Sequence, residues 1–242
     1  MNLLLEVKDI MQKKNKILAI IPARGGSKGI PRKNVKLLAG KPLITYSIET
    51  ALKSKIIDRV IVSTEDEEIA EISKKYGAEV VKRPKELARD ESPTIDAIKY
   101  TLKFLEFEGY IPDIIILLQP TSPLRTVEDI EKALTLFLNN SCESVVSVSE
   151  SKKSPYWSLK IEDGYIKPIL GWDYFLNKRR QDLPKTYYLN GAIFITNVKD
   201  LFKYNGFFSQ NTDPYIMPEI RSIDIDESID LKFVEFLLCK EK

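Results

Sequence analysis

Short runs of β-branched and aliphatic residues alternate with helical patterns from residue 17 onward, and this alternation restricts the possible folds more than any other feature. Strands separated by helices assemble into a mostly parallel sheet with helices on its faces. Ile17 to Ile21, Arg59 to Val62, Glu79 to Val81, Ile114 to Leu118 and Ser144 to Val148 read as strands, the fourth an unbroken apolar run of the kind buried on both faces. Between them, Ile69, Ile72 and Tyr76 share one helical face, as do Ile95, Ile98, Leu102 and Leu105. Thr126 to Asp129 has the form of a capping box, opening a helix that runs through Leu138. From Glu150 to about Pro184 the rhythm breaks into Pro, Trp, Tyr and basic residues ending in Lys178, Arg179 and Arg180, which reads as an insertion. The strand pattern resumes at Ala192 to Thr196, a last short strand is expected over Ser222 to Ile225, and Ile229 to Leu238 closes as an amphipathic helix.

A chain of 242 residues with 43% hydrophobic content suffices for one main α/β domain carrying an elaboration. Lys and Arg total 37 against 35 for Asp and Glu, so no global field favours nucleic acid or an anionic membrane, and anion binding must be local. No apolar run approaches the ~20 residues a bilayer span requires. The segment Met1 to Lys16 carries Glu6 and Asp9 where a signal peptide would need a longer apolar core. Cys142 and Cys239 lie far apart without metal spacing and read as free thiols. The expectation is a cytoplasmic protein without nucleic-acid or membrane partners. Histidine is absent, which removes Ser-His triads and most zinc chemistry and leaves catalysis to carboxylates, cations and backbone amides.

The first strand runs into Pro22-Ala23-Arg24-Gly25-Gly26-Ser27-Lys28-Gly29-Ile30-Pro31-Arg32-Lys33-Asn34, with four cations among the eleven residues from Arg24 to Asn34. Ligands of open α/β sheets bind beyond the carboxyl ends of strands, where glycines let backbone amides approach phosphate oxygens and cations neutralise them. Placed directly after the first strand, this loop suits a polyphosphate, although a solvated basic loop would have the same composition. Its spacing matches neither Gly-x-x-x-x-Gly-Lys-Ser/Thr nor Gly-x-Gly-x-x-Gly. Near the other end, Asp224-Ile225-Asp226 would turn both carboxylates to one side of an extended chain, an oxygen-rich pair suited to Mg²⁺. Alone the pair means little; beside a phosphate loop it gains a purpose, since a metal there could offset charge at a reacting phosphorus while the loop steadies departing pyrophosphate. Leu117 to Arg125 opens from another strand end into polar groups able to bond substrate hydroxyls, or forms a plain turn. Arg180-Gln181-Asp182-Leu183-Pro184, followed by Asn190-Gly191-Ala192, supplies a cation that a sugar carboxylate would suit.

These motifs resemble the acylneuraminate cytidylyltransferases, or CMP-sialic acid synthetases, together with the relatives that activate legionaminic and pseudaminic acids. The likeness runs from residue 17 to about 238 through Ala23 to Lys28, Pro31 to Asn34, Gly40-Lys41-Pro42-Leu43, Arg83 to Ala88, Leu118 to Arg125, Arg180 to Pro184, Asn190 to Ile193 and Ile223 to Asp226. It implies a Rossmann-like nucleotide-diphospho-sugar transferase fold: an N-terminal extension over 1–16, the α/β domain over 17–149 and 185–242, and a small dimerisation insertion over 150–184. By the same likeness the enzyme is a homodimer that uses Mg²⁺ or Mn²⁺, held by Asp224 and Asp226, with CTP and a nonulosonic acid as substrates. Arg24, Ser27 and Lys33, beside Ala23, would hold the CTP phosphates, and Asn34, Arg83, Ser92 and Thr94 would surround the cytidine. The sugar would meet Gln119, Thr121, Ser122, Asn190 and Phe194, with Arg180, Phe207 and Phe208 reaching in from the other subunit. Trp157 falls where the sialic acid enzymes can have a lysine, and Phe194 where they can have a tyrosine, which leaves fewer polar contacts for the sugar.

The reaction so implied is in-line attack by the anomeric hydroxyl of the sugar on the α-phosphorus of CTP. Arg24, Lys33 and Asp224 would form the catalytic set, and Asp224 or a metal-bound water would take the proton. Three rivals stand beside it. A haloacid-dehalogenase phosphatase needs its Asp-x-Asp after an early strand, whereas only 16 residues follow Asp226. A cytidylyltransferase for the eight-carbon acid KDO shares the reaction class but is expected to lack the Gly25 to Lys28 and Arg180 to Asp182 sets. A non-catalytic nucleotide-binding module would bind CTP and release no pyrophosphate.

Overall fold

The computed structural model describes residues 15–240, apart from the side chain of Arg180. The expected N-terminal extension lies almost wholly outside that range. The chain begins with β1 (Ile17–Pro22), whose exit loop leads into the small hairpin β2 (Leu37–Leu38) and β3 (Lys41–Pro42). Three strand–helix units follow: α1 (Leu43–Lys53) to β4 (Arg59–Thr64), α2 (Glu67–Lys75) to β5 (Glu79–Lys82), and α3 (Thr94–Phe107) to β6 (Ile114–Leu117). Then come α4 (Val127–Asn139) and β7 (Ser144–Glu150). The segment after β7 holds the hairpin β8 (Leu159–Glu162) and β9 (Tyr165–Pro168) and the short α5 (Trp172–Asn177). The chain returns through β10 (Tyr187–Asn197), α6 (Val198–Tyr204) and β11 (Thr212–Ile216), and ends in α7 (Ser228–Lys240).

Seven strands form one sheet in the order β11-β7-β10-β6-β1-β4-β5. Every neighbouring pair is parallel except those made by β10, which runs against both β6 and β7. This is the mostly parallel, helix-flanked sheet that the strand–helix rhythm implies. The five early strands and the closing helix lie where the hydrophobic pattern places them. On α4, the Thr126 side chain accepts from Asp129 N while the Asp129 side chain accepts from Thr126 N, completing the capping box.

The apolar faces divide into a core on each side of the sheet. Ala19, Ile21, Ile48, Val62, Ile116 and Ile130 belong to one, and Leu18, Ile20, Ile61, Leu102, Leu117 and Phe194 to the other. A third, smaller cluster decides the site. Ile30 of the loop after β1, Leu43 of α1, Ile225 and Val234 of α7 pack together, so the glycine-rich loop and the Asp-x-Asp segment share one hydrophobic anchor. Burying an Ile such as Ile225, which is fully enclosed, contributes about 1.5–3 kcal/mol, enough to fix where its two flanking aspartates sit.

Two expectations need correction. Ser222 to Ile225 is not a strand; its backbone is held by a single ladder-like bond, Ile225 N to Thr121 O at 2.9 Å, because no strand lies alongside. The sheet edge is instead β11, hidden in the sequence by Pro214, which a strand accommodates at an edge where its missing N–H is not needed. Strand β10 also starts five residues before the expected Ala192, with its register against β7 broken between Leu189 and Phe194, where Gly191 takes φ +72°.

Candidate active site

Beyond the carboxyl ends of β1, β4, β5 and β6 lies a cleft of about 550 Å³. The loop after β1 forms one wall. Its turn is closed by Ala23 N donating to Ser63 O at 3.0 Å and by Asn34 Nδ2 donating to Arg24 O at 2.9 Å. Arg24, Ser27, Lys28 and Lys33 face the cleft; Arg32 does not, because Asp66 and Glu68 on α2 take its guanidinium. Arg83, Ser92 and Thr94 line the side below β5 and the start of α3. Burial presses the Arg83 guanidinium below its ordinary pKa, partly offset by Glu65, whose Oε2 lies 3.2 Å from Nη2. The other Glu65 oxygen accepts from Gly25 N at 2.7 Å, so one carboxylate braces both the loop and Arg83.

The late aspartates meet the loop. Lys33 Nζ donates to Ile225 O at 2.7 Å and to Asp226 Oδ1 at 3.0 Å. Gly29 passes so close that a side-chain carbon there would sit 2.2 Å from the Asp226 carbonyl oxygen. Asp224 is half-buried, and its Oδ1, which is enclosed, has no hydrogen-bond partner among the described residues. Burial lifts the Asp224 carboxyl above the ordinary carboxylate range; Thr121 and Lys33 pull it back in part, while Asp226 pushes the same way as burial. A buried, unpartnered carboxylate oxygen beside a second carboxylate is the arrangement a hard divalent cation relieves. Two carboxylates do not make a closed cage: among the described residues no group of three His, Cys, Asp or Glu side chains is placed to hold a metal. Open positions on a cation there would fall to phosphate oxygens and water.

Gln119 and Thr121 line the cleft from the end of β6. The remaining residues expected at the sugar behave otherwise. Ser122 is fully buried, its hydroxyl without a partner among the described residues. Asn190 is a strut: its Oδ1 accepts from Ser147 Oγ at 2.6 Å and Ala192 N at 3.1 Å, and its Nδ2 donates to Ser222 Oγ at 2.9 Å. Phe207 and Phe208 follow α6, Phe207 buried and Phe208 half-exposed. Both pack on Phe194 of their own chain, with ring centroids 5.6 and 6.3 Å away, because α6 ends at Asn205 in a left-handed turn that brings the chain back to the sheet. Phe194 lies opposite Leu117 in the sheet, and Phe194 and Phe207 belong to the core there; none of the three rings lines the cleft. Arg180 sits in the single turn Arg180–Asp182, and its side chain lies outside the described residues.

The sequence pattern missed Glu65 and Asp90. Asp90 pairs with Arg24 at 2.8 Å and Lys28 at 3.2 Å, and these cations hold its carboxyl below the usual range. A signal existed for both: Glu65 follows β4 and Asp90 follows β5 at the sheet edge where ligands bind.

A glycine-rich basic loop, a pair of carboxylates beside it and a cleft beyond the carboxyl ends of the parallel strands are the features of a nucleotidyltransferase. Residues 18–160 match the cytidylyltransferase family model. The chain is 39% identical over 228 residues to the CMP-N,N'-diacetyllegionaminic acid synthase of Legionella pneumophila, covering 92% of this chain and 96% of that one. It is 37% identical to the N-acylneuraminate cytidylyltransferase of Escherichia coli over 90% of this chain, but spans only 51% of that longer protein. Among solved structures, a CMP:2-keto-3-deoxy-manno-octonic acid synthetase complexed with CTP superposes with a TM-score of 0.70 at 17% identity, over 94% of this chain and all of that one. This chain belongs to the cytidylyltransferase family.

Proposed function

We propose that this enzyme transfers CMP from CTP to a nonulosonic acid of the sialic type, releasing diphosphate, to supply cell-surface glycan synthesis. One observation carries the reading: Lys33 and Gly29 of the phosphate loop touch the backbone and carboxylate of the late aspartate pair, so one nucleotide can meet both. Relatives at 39% and 37% identity are named for legionaminic and acylneuraminic acids, whereas the octonic acid synthetase shares the fold at 17%. That contrast favours a nine-carbon acid over KDO.

In the proposed reaction Arg24, Ser27 and Lys33 bind the triphosphate and balance the charge of departing diphosphate. Arg83, Asn34, Ser92 and Thr94 surround the base and ribose. Asp224 and Asp226 would hold Mg²⁺ or Mn²⁺, which when bound offsets charge on the α-phosphate. Gln119 and Thr121 orient the sugar so that its anomeric hydroxyl attacks in line with the leaving group. We further propose a cytosolic homodimer. No helix of the described residues is long and apolar enough to cross a membrane, and both cysteines are free thiols.

Pyrophosphate release, measured with CTP, Mg²⁺ and in turn N-acetylneuraminic, N,N'-diacetyllegionaminic, pseudaminic and KDO acids, tests the assignment. One of the nine-carbon acids should be used best; a clear preference for KDO overturns it. Asp224→Ala should lower kcat at least ~10²-fold with the melting temperature retained, and a variant of undiminished rate would remove Asp224 from the mechanism.

A further inference from the structure

Arg125 is a buried cation that no contact with the cleft explains. Only 3% of its surface is exposed, yet no carboxylate among the described residues is hydrogen-bonded to it. Asp129 attracts it only through space, since its oxygens serve Arg221, Tyr215 and Thr126. Burial accordingly pushes the Arg125 guanidinium down to about 9. Burying a charge this way carries a desolvation cost that an apolar side chain would avoid, so stability alone does not account for it.

What the guanidinium does is join two stretches distant in sequence. Nη1 donates to Ala192 O at 2.6 Å, at the irregular turn of β10, and to Gln119 O at 3.3 Å, at the mouth of β6. Nη2 donates to Ser47 Oγ at 2.7 Å, and Ser47 in turn donates to Gln119 O at 3.1 Å. The two stretches are already in tight register, for a side-chain carbon on Gly191 would lie 2.5 Å from Gln119 Oε1. A planar, forked donor spans such a gap; a point-charge ammonium does not.

We propose that Arg125 is a positioning residue that, with Ser47, clamps the Gln119 loop to the Gly191–Ala192 turn and so sets the geometry of the sugar side of the cleft without touching substrate. The idea rests on the function proposed above, because Gln119 there orients the sugar. A misplacement of about 1 Å at such a group can cost up to ~10²-fold.

The test compares Arg125→Lys and Ser47→Ala with the wild type, using CTP and N,N'-diacetyllegionaminic acid. Both variants should raise the sugar KM, Arg125→Lys more, while the KM for CTP and the melting shift induced by CTP stay unchanged. Hydrogen exchange on the intact proteins without substrate should quicken at 119–125 and 189–193 and not at 24–29. Unchanged exchange at those two stretches, or parallel losses in both KM values that track the melting temperature, overturns the proposal. A wild type inactive with every acid would instead sink the functional reading, and the exchange data would still decide the clamp.

Discussion

Gly29 shows how little freedom the residues of this site have. The atom that a side chain at 29 would strike is the Asp226 backbone carbonyl, which cannot swing aside as a side chain would. Gly29→Ala should therefore push the phosphate loop and the aspartate pair apart, lowering kcat with CTP and Mg²⁺ by about 10-fold or more, since electrostatic groups act only when aimed at the developing charge. Steady-state kinetics at saturating sugar would show it, and wild-type rates would mean the close approach is dispensable. That Arg24, Lys33 and the two aspartates come together beside one cleft was legible in part, because the loop directly follows the first strand, whereas the Ile30–Ile225 contact that joins the two segments carries no local mark. The packing of Asn190 and Ser122 inside the fold was not legible. A polar residue near a strand end reads as a ligand, but Asn190 is consumed by Ser147 and Ser222, which lie 43 and 32 residues away and carry no mark of that pairing.

At the scale of elements, one buried carboxylate ties α4 to the segment that carries Asp224 and Asp226. Asp129 caps α4 through Thr126 and also receives Arg221 Nε and Nη2, both at 2.9 Å, three residues before Asp224. Burial by itself would raise the Asp129 carboxyl, but the bonds from Arg221 and Thr126 outweigh it and hold it below the ordinary range. Its folded pKa is depressed, so its contribution is present above the unfolded value near ~3.9 and is lost as pH falls through the folded one. Asp129→Ala should cost about 1–3 kcal/mol at neutral pH, by opening the cap and releasing Arg221, whose side chain solvent can partly reach. Thermal melts from pH 7 to 3 should show the gap between variant and wild type narrowing only at the acid end. The capping box itself was readable from Thr126 to Asp129, and so were the five early strands, because local periodicity specifies them. Its second bond, to Arg221, was not readable, nor was β11 behind Pro214, because both depend on partners brought together only by the folded chain.

At the scale of the whole molecule, the described residues of the insertion carry an exposed apolar face. In the hairpin β8–β9, Ile161 pairs with Ile166 and Leu159 with Pro168 across the strands, which puts these apolar residues on one face, while Lys160 faces Lys167 on the other. Ile161 is 80% exposed and Ile166 58%, and Trp172 and Leu176 of the adjoining α5 stand open as well. A two-stranded hairpin is at best marginally stable alone, and an exposed apolar face of this kind marks an association site. The proposed occupant is a second copy of the chain, which would also place the Arg180 turn of the same insertion near a neighbouring cleft. Ile161→Glu should then convert a dimer, seen by sedimentation, into a folded monomer. If the insertion completes the partner's sugar site, that monomer will keep its melting shift with CTP but lose turnover of the acid; a wild type that sediments as a fully active monomer would refute the dimer and confine catalysis to one chain.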